Sequence, residues 1–293
     1  MTTATRLVVT ELDRDGIRPW LPALDDWLLP GSIYSVHHTW PLLYRSDGHG
    51  RFFAVFDGDR LISHCATRRV TIVGGSGPFE ATLLGSVATD PEYRGQGLAG
   101  QILTRALGAA ATECDHVLLW AERPDLYRAH GFADGRDERC LLLARTPKQS
   151  EVRIRLATVA DHPILHRLHC SKPWRIERTL GAMSGLLTTP GMTTLVLERD
   201  DAIVAYACCG KGADLAGHWH EVGGSDRDVA ELLRAALHFT DQIEAVLLLP
   251  PYRPRLRELL GRSAVEEFVV TGPMAHSPRA PLPACWIDGL DSV

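Results

Sequence analysis

Several things are scarce in this 293-residue chain, and each scarcity excludes a class of protein. No apolar run reaches the roughly 20 residues that a membrane helix needs, so no spanning segment is expected. The net charge is only -5, so a broad basic surface for nucleic acid is not expected either. The seven cysteines are an odd number, and none stands in a C-x-x-C pair. Cys208-Cys209 lie inside an apolar run, which reads as reduced, buried thiols of a cytoplasmic protein rather than a disulfide framework or a structural zinc site. The opening residues Met1-Thr2-Thr3-Ala4-Thr5-Arg6 carry no signal-peptide pattern. What is left is an ordinary globular composition, 45% hydrophobic and 23% charged, at a length comfortable for two domains.

One stretch stands out, running from Gly85-Ser86-Val87-Ala88-Thr89 through Asp90-Pro91-Glu92-Tyr93 to Arg94-Gly95-Gln96-Gly97-Leu98-Ala99. An apolar strand ends at Asp90-Pro91, a glycine-rich turn follows, and an amphipathic helix with Leu98, Ile102, Leu103, Ala106 and Leu107 on one face begins at once. Small residues let main-chain N–H groups approach an anion, the helix N-terminus offers its unpaired donors, and Arg94 adds a charged one. These are the makings of a diphosphate site. A nucleoside-triphosphate loop would need G-x-x-x-x-G-K-[ST], and no lysine follows these glycines. A dinucleotide fingerprint fits the letters Gly95-Gln96-Gly97-Leu98-Ala99-Gly100, with Glu122 forced into the ribose role, but it gives Arg94 and the Thr-Asp-Pro lead-in nothing to do.

Arg94-Gly95-Gln96-Gly97-Leu98-Ala99 resembles motif A of the GNAT superfamily of N-acetyltransferases, which reads Arg/Gln-x-x-Gly-x-Gly/Ala. Two further pieces occur in the right order: the strand end Val87-Ala88-Thr89-Asp90-Pro91, and Leu126-Tyr127-Arg128-Ala129-His130-Gly131-Phe132, matching a helix that closes in Tyr-x-x-x-Gly-Phe. The resemblance implies acetyl-CoA as co-substrate, held by Val87, Ala88 and Thr89 at the pantetheine and the thioester carbonyl, and by Arg94, Gly95, Gln96, Gly97, Leu98 and Ala99 at the pyrophosphate. It implies transfer of the acetyl group to a primary amine by direct attack in a ternary complex. Tyr127 would be the general acid toward the leaving thiolate, since a phenol titrates near pH 10. The alternative is an acyl-CoA-binding or regulatory module without turnover. The acceptor is expected to be a small molecule, and a homodimer is left open.

The general base is less legible. Many family members carry a glutamate in the strand before the turn, and the corresponding position here is Leu83. Glu80, at the start of that strand, is a candidate substitute or a solvated edge charge. Glu122 is a candidate lining the cleft, or a cap for the helix begun by Pro124. His37-His38 and His64 could titrate near neutrality. His218 and His220 share one face of a strand, but two ligands with no third in spacing do not make a metal site, so no metal is expected.

The pattern of elements repeats. A strand, a helical stretch, a hairpin (Phe52–Phe56 with Leu61–Cys65), the strand Glu80–Thr89, the turn, the helix from Leu98, the strand Val117–Trp120, a proline-started helix and a last strand Arg139–Ala144 make a first unit. After the polar linker Thr146-Pro147-Lys148-Gln149-Ser150, a second unit shows a hairpin at Thr194–Ala207, the strand His218–Val222, the helix Val229–Phe239 and the strand Ala245–Leu249, with helices expected at 158–169 and 176–187. We read two tandem mixed α/β domains, each a mostly antiparallel sheet flanked by helices and, by the resemblance, splayed at the cofactor site. The division is 1–146, cofactor-binding and catalytic; 150–278, a copy degenerate for cofactor, with Val222-Gly223-Gly224-Ser225-Asp226-Arg227 where the turn should be; and a tail, 279–293. Trp286, Ile287 and Leu290 predict that the tail docks, on the second domain or across the first domain's cleft, where Asp291 or the Val293 carboxylate could serve, as the resemblance suggests.

Overall fold

The computed structural model describes residues 7–45, 49–147, 152–212 and 215–293; residues 148–150 of the expected linker lie outside them. Its strands, in chain order, are β1 (Val9–Leu12), β2 (Gly50–Asp57), β3 (Arg60–Gly74), β4 (Gly77–Thr89), β5 (His116–Leu119), β6 (Glu138–Ala144), β7 (Arg153–Leu156), β8 (Arg175–Ile176), β9 (Thr193–Arg199), β10 (Ala202–Cys209), β11 (His218–Gly224), β12 (Glu244–Leu248), β13 (Ala264–Val270) and β14 (Met274–His276). They form two seven-stranded mixed sheets. The first runs β1-β2-β3-β4-β5-β14, with β8 pairing the far end of β3; the second runs β13-β6-β12-β11-β10-β9-β7. Each sheet has one parallel pair among antiparallel neighbours, β4 with β5 and β11 with β12. The mixed α/β class and the two sheets agree with the sequence reading.

The expected closing strand of the first unit is placed differently. β6 pairs with β12 and β13, so it lies in the second sheet. In exchange β14, which follows the second unit, pairs with β5 in the first. The physical reason is burial. Cys140, Leu141 and Leu143 of β6 are fully buried, which suits an interior strand flanked on both sides. A second difference concerns the helix expected at 176–187: Ile176 instead pairs with Ile72 of β3, and the helix starts at Leu180, where the Thr179 side chain accepts from the Ala182 amide.

The helix Leu98–Ala110 forms because its apolar residues recur every three to four positions. It buries Leu98, Ile102, Leu103 and Ala106 against Phe53, Val55, Ile62, Leu84, Val117 and Leu119 of the first sheet. Each large side chain so buried contributes about 1.5–3 kcal/mol. The opposite face of that sheet meets the helical segment before β2 through Tyr44, Phe52 and Leu61, and the C-terminal tail through Ile287 and Val293. The tail thus docks on both units, with Leu290 packed among Leu42, Leu165 and Tyr206.

Candidate active site

The parallel pairing of β4 with β5 covers only Ala81–Leu83 against His116–Leu118. Beyond Leu83, β4 keeps β3 on one side and loses β5 on the other, so the main-chain donors on its free edge from Leu84 to Thr89 face a splay. Within that stretch the register against β3 slips: His64 faces Ala88 and Ala66 faces Gly85, leaving Ser86 and Val87 opposite Cys65 alone. Ser86 takes a left-handed φ of 52°, an uncommon state for a non-glycine residue that marks a β-bulge. The bulge shifts which of the main-chain donors between Val87 and Thr89 face the splay and which face β3.

The turn that follows is built by its own side chains. Asp90 accepts from the Glu92 amide and receives the Arg60 guanidinium at 2.7 Å. Gly95 and Gly97 have φ of 78° and 74°, which a side chain would resist. Gly97 is the N-cap of the helix Leu98–Ala110 and brings no side chain to bond the first amides, so these donors and the positive end of the helix dipole stay available to an anion. Arg94 is exposed beside them, its Nε donating to the Thr89 carbonyl at 3.2 Å. The turn Arg94 to Ala99 thus follows directly on the edge of β4 that ends at Thr89.

Tyr127 lies in the short helix Pro124–Arg128, on the same face of the sheet as the helix Leu98–Ala110. Its ring sits edge-on to Phe132 at 5.9 Å, which explains the Gly131-Phe132 step: Gly131, with φ of 81°, turns the chain back so that Phe132 can pack on it. Burial pushes the phenol up to about 12, and the charges of Cys65 and Glu122 add to this. Cys65 faces the bulge, so Tyr127 and the bulge belong to one neighbourhood. The hydroxyl makes no hydrogen bond among the described residues, and it stays protonated at neutral pH.

The carboxylate candidates separate. Glu80 accepts from Thr71 at 2.7 Å and from Arg69 at 2.9 Å, bonds that hold it below the usual carboxylate range despite some burial. It precedes the parallel pairing, at the far end of β4 from the turn. Seven residues of strand separate it from Val87, a run of about 20 Å, so the structure does not bring it to the splay. Glu122 is exposed just after β5, near Tyr127, and it does not cap the next helix, whose N-cap is Arg123.

His37 and His38 stack on each other near Ser35, away from β4. His64 is fully buried on β3 and burial pushes its imidazole down to about 4. Its Nδ1 lies 2.9 Å from the Ser86 carbonyl, which can only accept, so Nδ1 carries the proton and Nε2 the lone pair. Nε2 is buried without a hydrogen-bond partner among the described residues, while the buried Tyr44 and Ser86 hydroxyls lie within reach of each other. Sequence reasoning had no signal for this niche, because Tyr44 belongs to a helical turn far from β4 in the chain. His220 is buried and bonded to the Gly210 carbonyl, while His218 is turned to Ala216, so they do not act as a pair.

Sequence reasoning also missed the buried charges that seat the tail. Asp291 receives Arg68 at 3.0 Å and Arg178. Arg178 also pairs with Glu221, and Lys172 bridges Glu221 and Asp288 at 2.9 Å each. Burial alone would raise the Asp291 carboxyl, but Arg178 and Arg68 outweigh it and hold the group ionised. Asp291 is thus committed to ion pairs. His169, Glu221 and Asp288 come within metal-ligand reach of one another, with the Lys172 ammonium already among them. Beyond Asp291 the chain ends against β4: a Cβ on Gly85 would come within 2.5 Å of the Val293 carbonyl carbon and oxygen. The glycine before the bulge is required by that contact.

In the second sheet the corresponding helix, Asp226–Phe239, begins differently. Ser225 caps it by accepting from the Asp228 amide, and Arg253 is held by Asp226 at 2.7 Å and by the Gly224 carbonyl at 3.1 Å. One of its first amides therefore already has a side-chain partner, where Gly97 offers none.

A mixed sheet splayed beside one short parallel pair, with a glycine turn at the start of the helix that covers it, defines the class of N-acetyltransferase folds. Residues 34–134, which hold the bulge, the turn and Tyr127, match the acetyltransferase (GNAT) domain family. Solved structures agree over nearly the whole chain. A conserved protein of unknown function from Enterococcus faecalis, described as a probable N-acyltransferase, superposes with a TM-score of 0.71 at 13% identity, over 92% of this chain and 72% of its own. A GCN5-related N-acetyltransferase from Kribbella flavida gives 0.63 at 15%, over 94% and 72%. Eis1 from Mycobacterium abscessus gives 0.62 at 14%, over 92% and 73%. At such identities the likeness is one of fold. Among curated proteins no match is found. The chain therefore carries an acetyltransferase (GNAT) domain, an enzyme domain, in its first half.

Proposed function

We propose that the protein transfers the acetyl group of acetyl-CoA to a primary amine by direct attack within a ternary complex. The observation that carries this reading is the edge of β4, where main-chain donors beside a bulge face a splay that leads straight to the open N-terminus of the helix Leu98–Ala110. In this reading the amides and side chain of Arg94 to Ala99 hold the pyrophosphate, and the edge Val87-Ala88-Thr89 binds the pantetheine. One of its N–H groups stabilises the oxyanion that forms when the amine attacks. The C–S bond then breaks and Tyr127 gives its proton to the departing thiolate.

The amine arrives on the opposite face of the sheet, where Val293 meets Gly85. The unpartnered lone pair of His64 Nε2, with the hydroxyls of Tyr44 and Ser86, gives its proton a route off that face. A base this weak relays a proton rather than storing it. Glu80 has no part in this scheme, and Glu122 lies close enough to Tyr127 to tune it.

The test is a calorimetric titration with acetyl-CoA followed by thiol release across a panel of amines. Binding at low micromolar levels with turnover of at least one amine class supports the reading. Binding without turnover on every class favours the non-catalytic module, for which the absence of a carboxylate at Leu83 speaks. No binding of acetyl-CoA, or stabilisation by NAD instead, overturns both.

A further inference from the structure

A cavity of about 460 Å³ lies where the two sheets and the tail meet. Its volume suits a small molecule rather than a few waters. The wall is largely apolar, with Trp174 and Leu249 from the second unit and Leu282, Trp286 and Ile287 from the tail. The remaining side is the loop from Gly131 to Glu138, which follows the helix of Tyr127. None of Val87, Gly97 or Tyr127 lines it, so it is distinct from the splay.

Its backbone is fixed. A Cβ on Gly135 would collide with the Pro273 carbonyl, and one on Gly272 with the Arg136 carbonyl, so this loop and the link between β13 and β14 are in close main-chain contact. Glycine at both positions permits this, and the cavity is shaped before any ligand enters.

One group in this wall is out of keeping with it. Glu138, the first residue of β6, is half-buried and makes no hydrogen bond or ion pair among the described residues, and burial alone pushes its carboxyl up to about 7. The other charges around the cavity are accounted for. Arg139 is tied to Glu267 and Asp134 to Arg128, while Arg136 and Asp137 are exposed to solvent. A desolvated carboxylate without a partner is costly to keep, and a cation brought by a ligand removes the cost.

We propose that this cavity binds an apolar organic amine, its hydrophobic body between Trp174 and the tail and its ammonium on Glu138. Charge selects a cation, and the aromatic and aliphatic wall selects a hydrocarbon body over a polyhydroxylated one.

The experiment is a calorimetric titration of the full chain, without any acyl donor, at about pH 8. Phenethylamine is compared with the uncharged phenethyl alcohol. The amine is expected to bind about tenfold or more tightly, the worth of a charge-assisted hydrogen bond. Glu138→Gln should abolish that preference while leaving the alcohol's affinity, and Trp174→Ala should weaken both probes. The Gln variant also removes an unpaired charge, so its melting temperature at this pH should rise, which separates lost recognition from lost folding. Equal affinities for amine and alcohol, no binding of the amine, or a preference that survives Glu138→Gln would each overturn the proposal. Because no acyl donor is present, these outcomes leave the acetyl-transfer reading standing, and failure of acetyl-CoA to bind would leave this one standing.

Discussion

The ammonium of Lys211 lies 2.6 Å from the main-chain oxygen of Ser292 and holds the carbonyls of Gly289 and Leu290 at 3.1 and 3.0 Å. A side chain of the second unit thus grips three carbonyls around a single turn of the tail, one residue before the tail reaches Gly85 in the splayed sheet. Lys211→Met should leave the Leu290 and Ser292 carbonyls without this donor, while Gly289 keeps the Ser292 amide and hydroxyl, and cost about 2–4 kcal/mol. Urea unfolding gives the magnitude. Hydrogen exchange should show protection lost first at residues 284–293, and exchange unchanged there would mean the tail is held by its apolar contacts alone.

Tyr127→Phe keeps the ring against Phe132 and removes a hydroxyl that has no partner, so thermal stability should hold. The proposed acid role puts the loss in kcat, by about 10²–10⁴-fold, with acetyl-CoA affinity unaltered. Because the phenol is pushed up to about 12, its proton is present across the neutral and mildly alkaline range. Turnover should therefore show no loss traceable to this group between about pH 6 and 10. A variant of unchanged kcat would remove Tyr127 from the mechanism.

Arg94→Ala deletes the one charged donor at the turn while leaving Gly95 and Gly97 in place. Affinity for acetyl-CoA should drop by about tenfold, and the dependence on salt should flatten with it. An affinity that stays the same would leave the helix amides as the whole anion site.

Arg178→Met breaks the shared pairing of Glu221 and Asp291, leaving two buried carboxylates facing each other's charge. Removing one partner of such a cluster costs about 3–5 kcal/mol, well beyond the worth of an exposed pair. Adding Asp291→Asn should recover part of it. If the double variant is as unstable as the sum of the singles, the groups are not coupled.

Glu138 gives a pH signature. Its folded carboxyl titrates at about 7, above its unfolded value, so folding binds the proton more tightly. The stability it contributes is fully present below about pH 4 and is lost as pH rises through about 7. The titratable groups that feel its charge are the thiols of Cys285 on the tail and Cys140 on its own strand, both of which burial holds protonated through this window. Screening at a half-buried site leaves about 1–3 kcal/mol across the window. Melting curves at about pH 5 and 8 should differ in the native chain and converge in Glu138→Gln.

The turn at Arg94 to Ala99 could be read in the sequence because its chemistry is local: positive φ, open amides and a helix start all lie within six residues. The helix that carries Tyr127 and its close at Gly131-Phe132 were legible for the same reason. The seat of the tail was not. Arg178, Glu221 and Asp291 look like surface charges when met singly, since the partners of Arg178 are 43 and 113 residues away. Glu80 was misplaced because a strand's position in sequence does not say which end faces the cleft. β6 carried a clear apolar signal, but that signal reports burial and not which sheet does the burying.

The crossing of β6 into the second sheet and of β14 into the first makes each half dependent on the other's gene segment. A deletion that removed the second unit would also remove the strand that pairs with β5, and β6 would have no sheet to enter. The second unit can therefore not be shed, because part of the first sheet is encoded behind it.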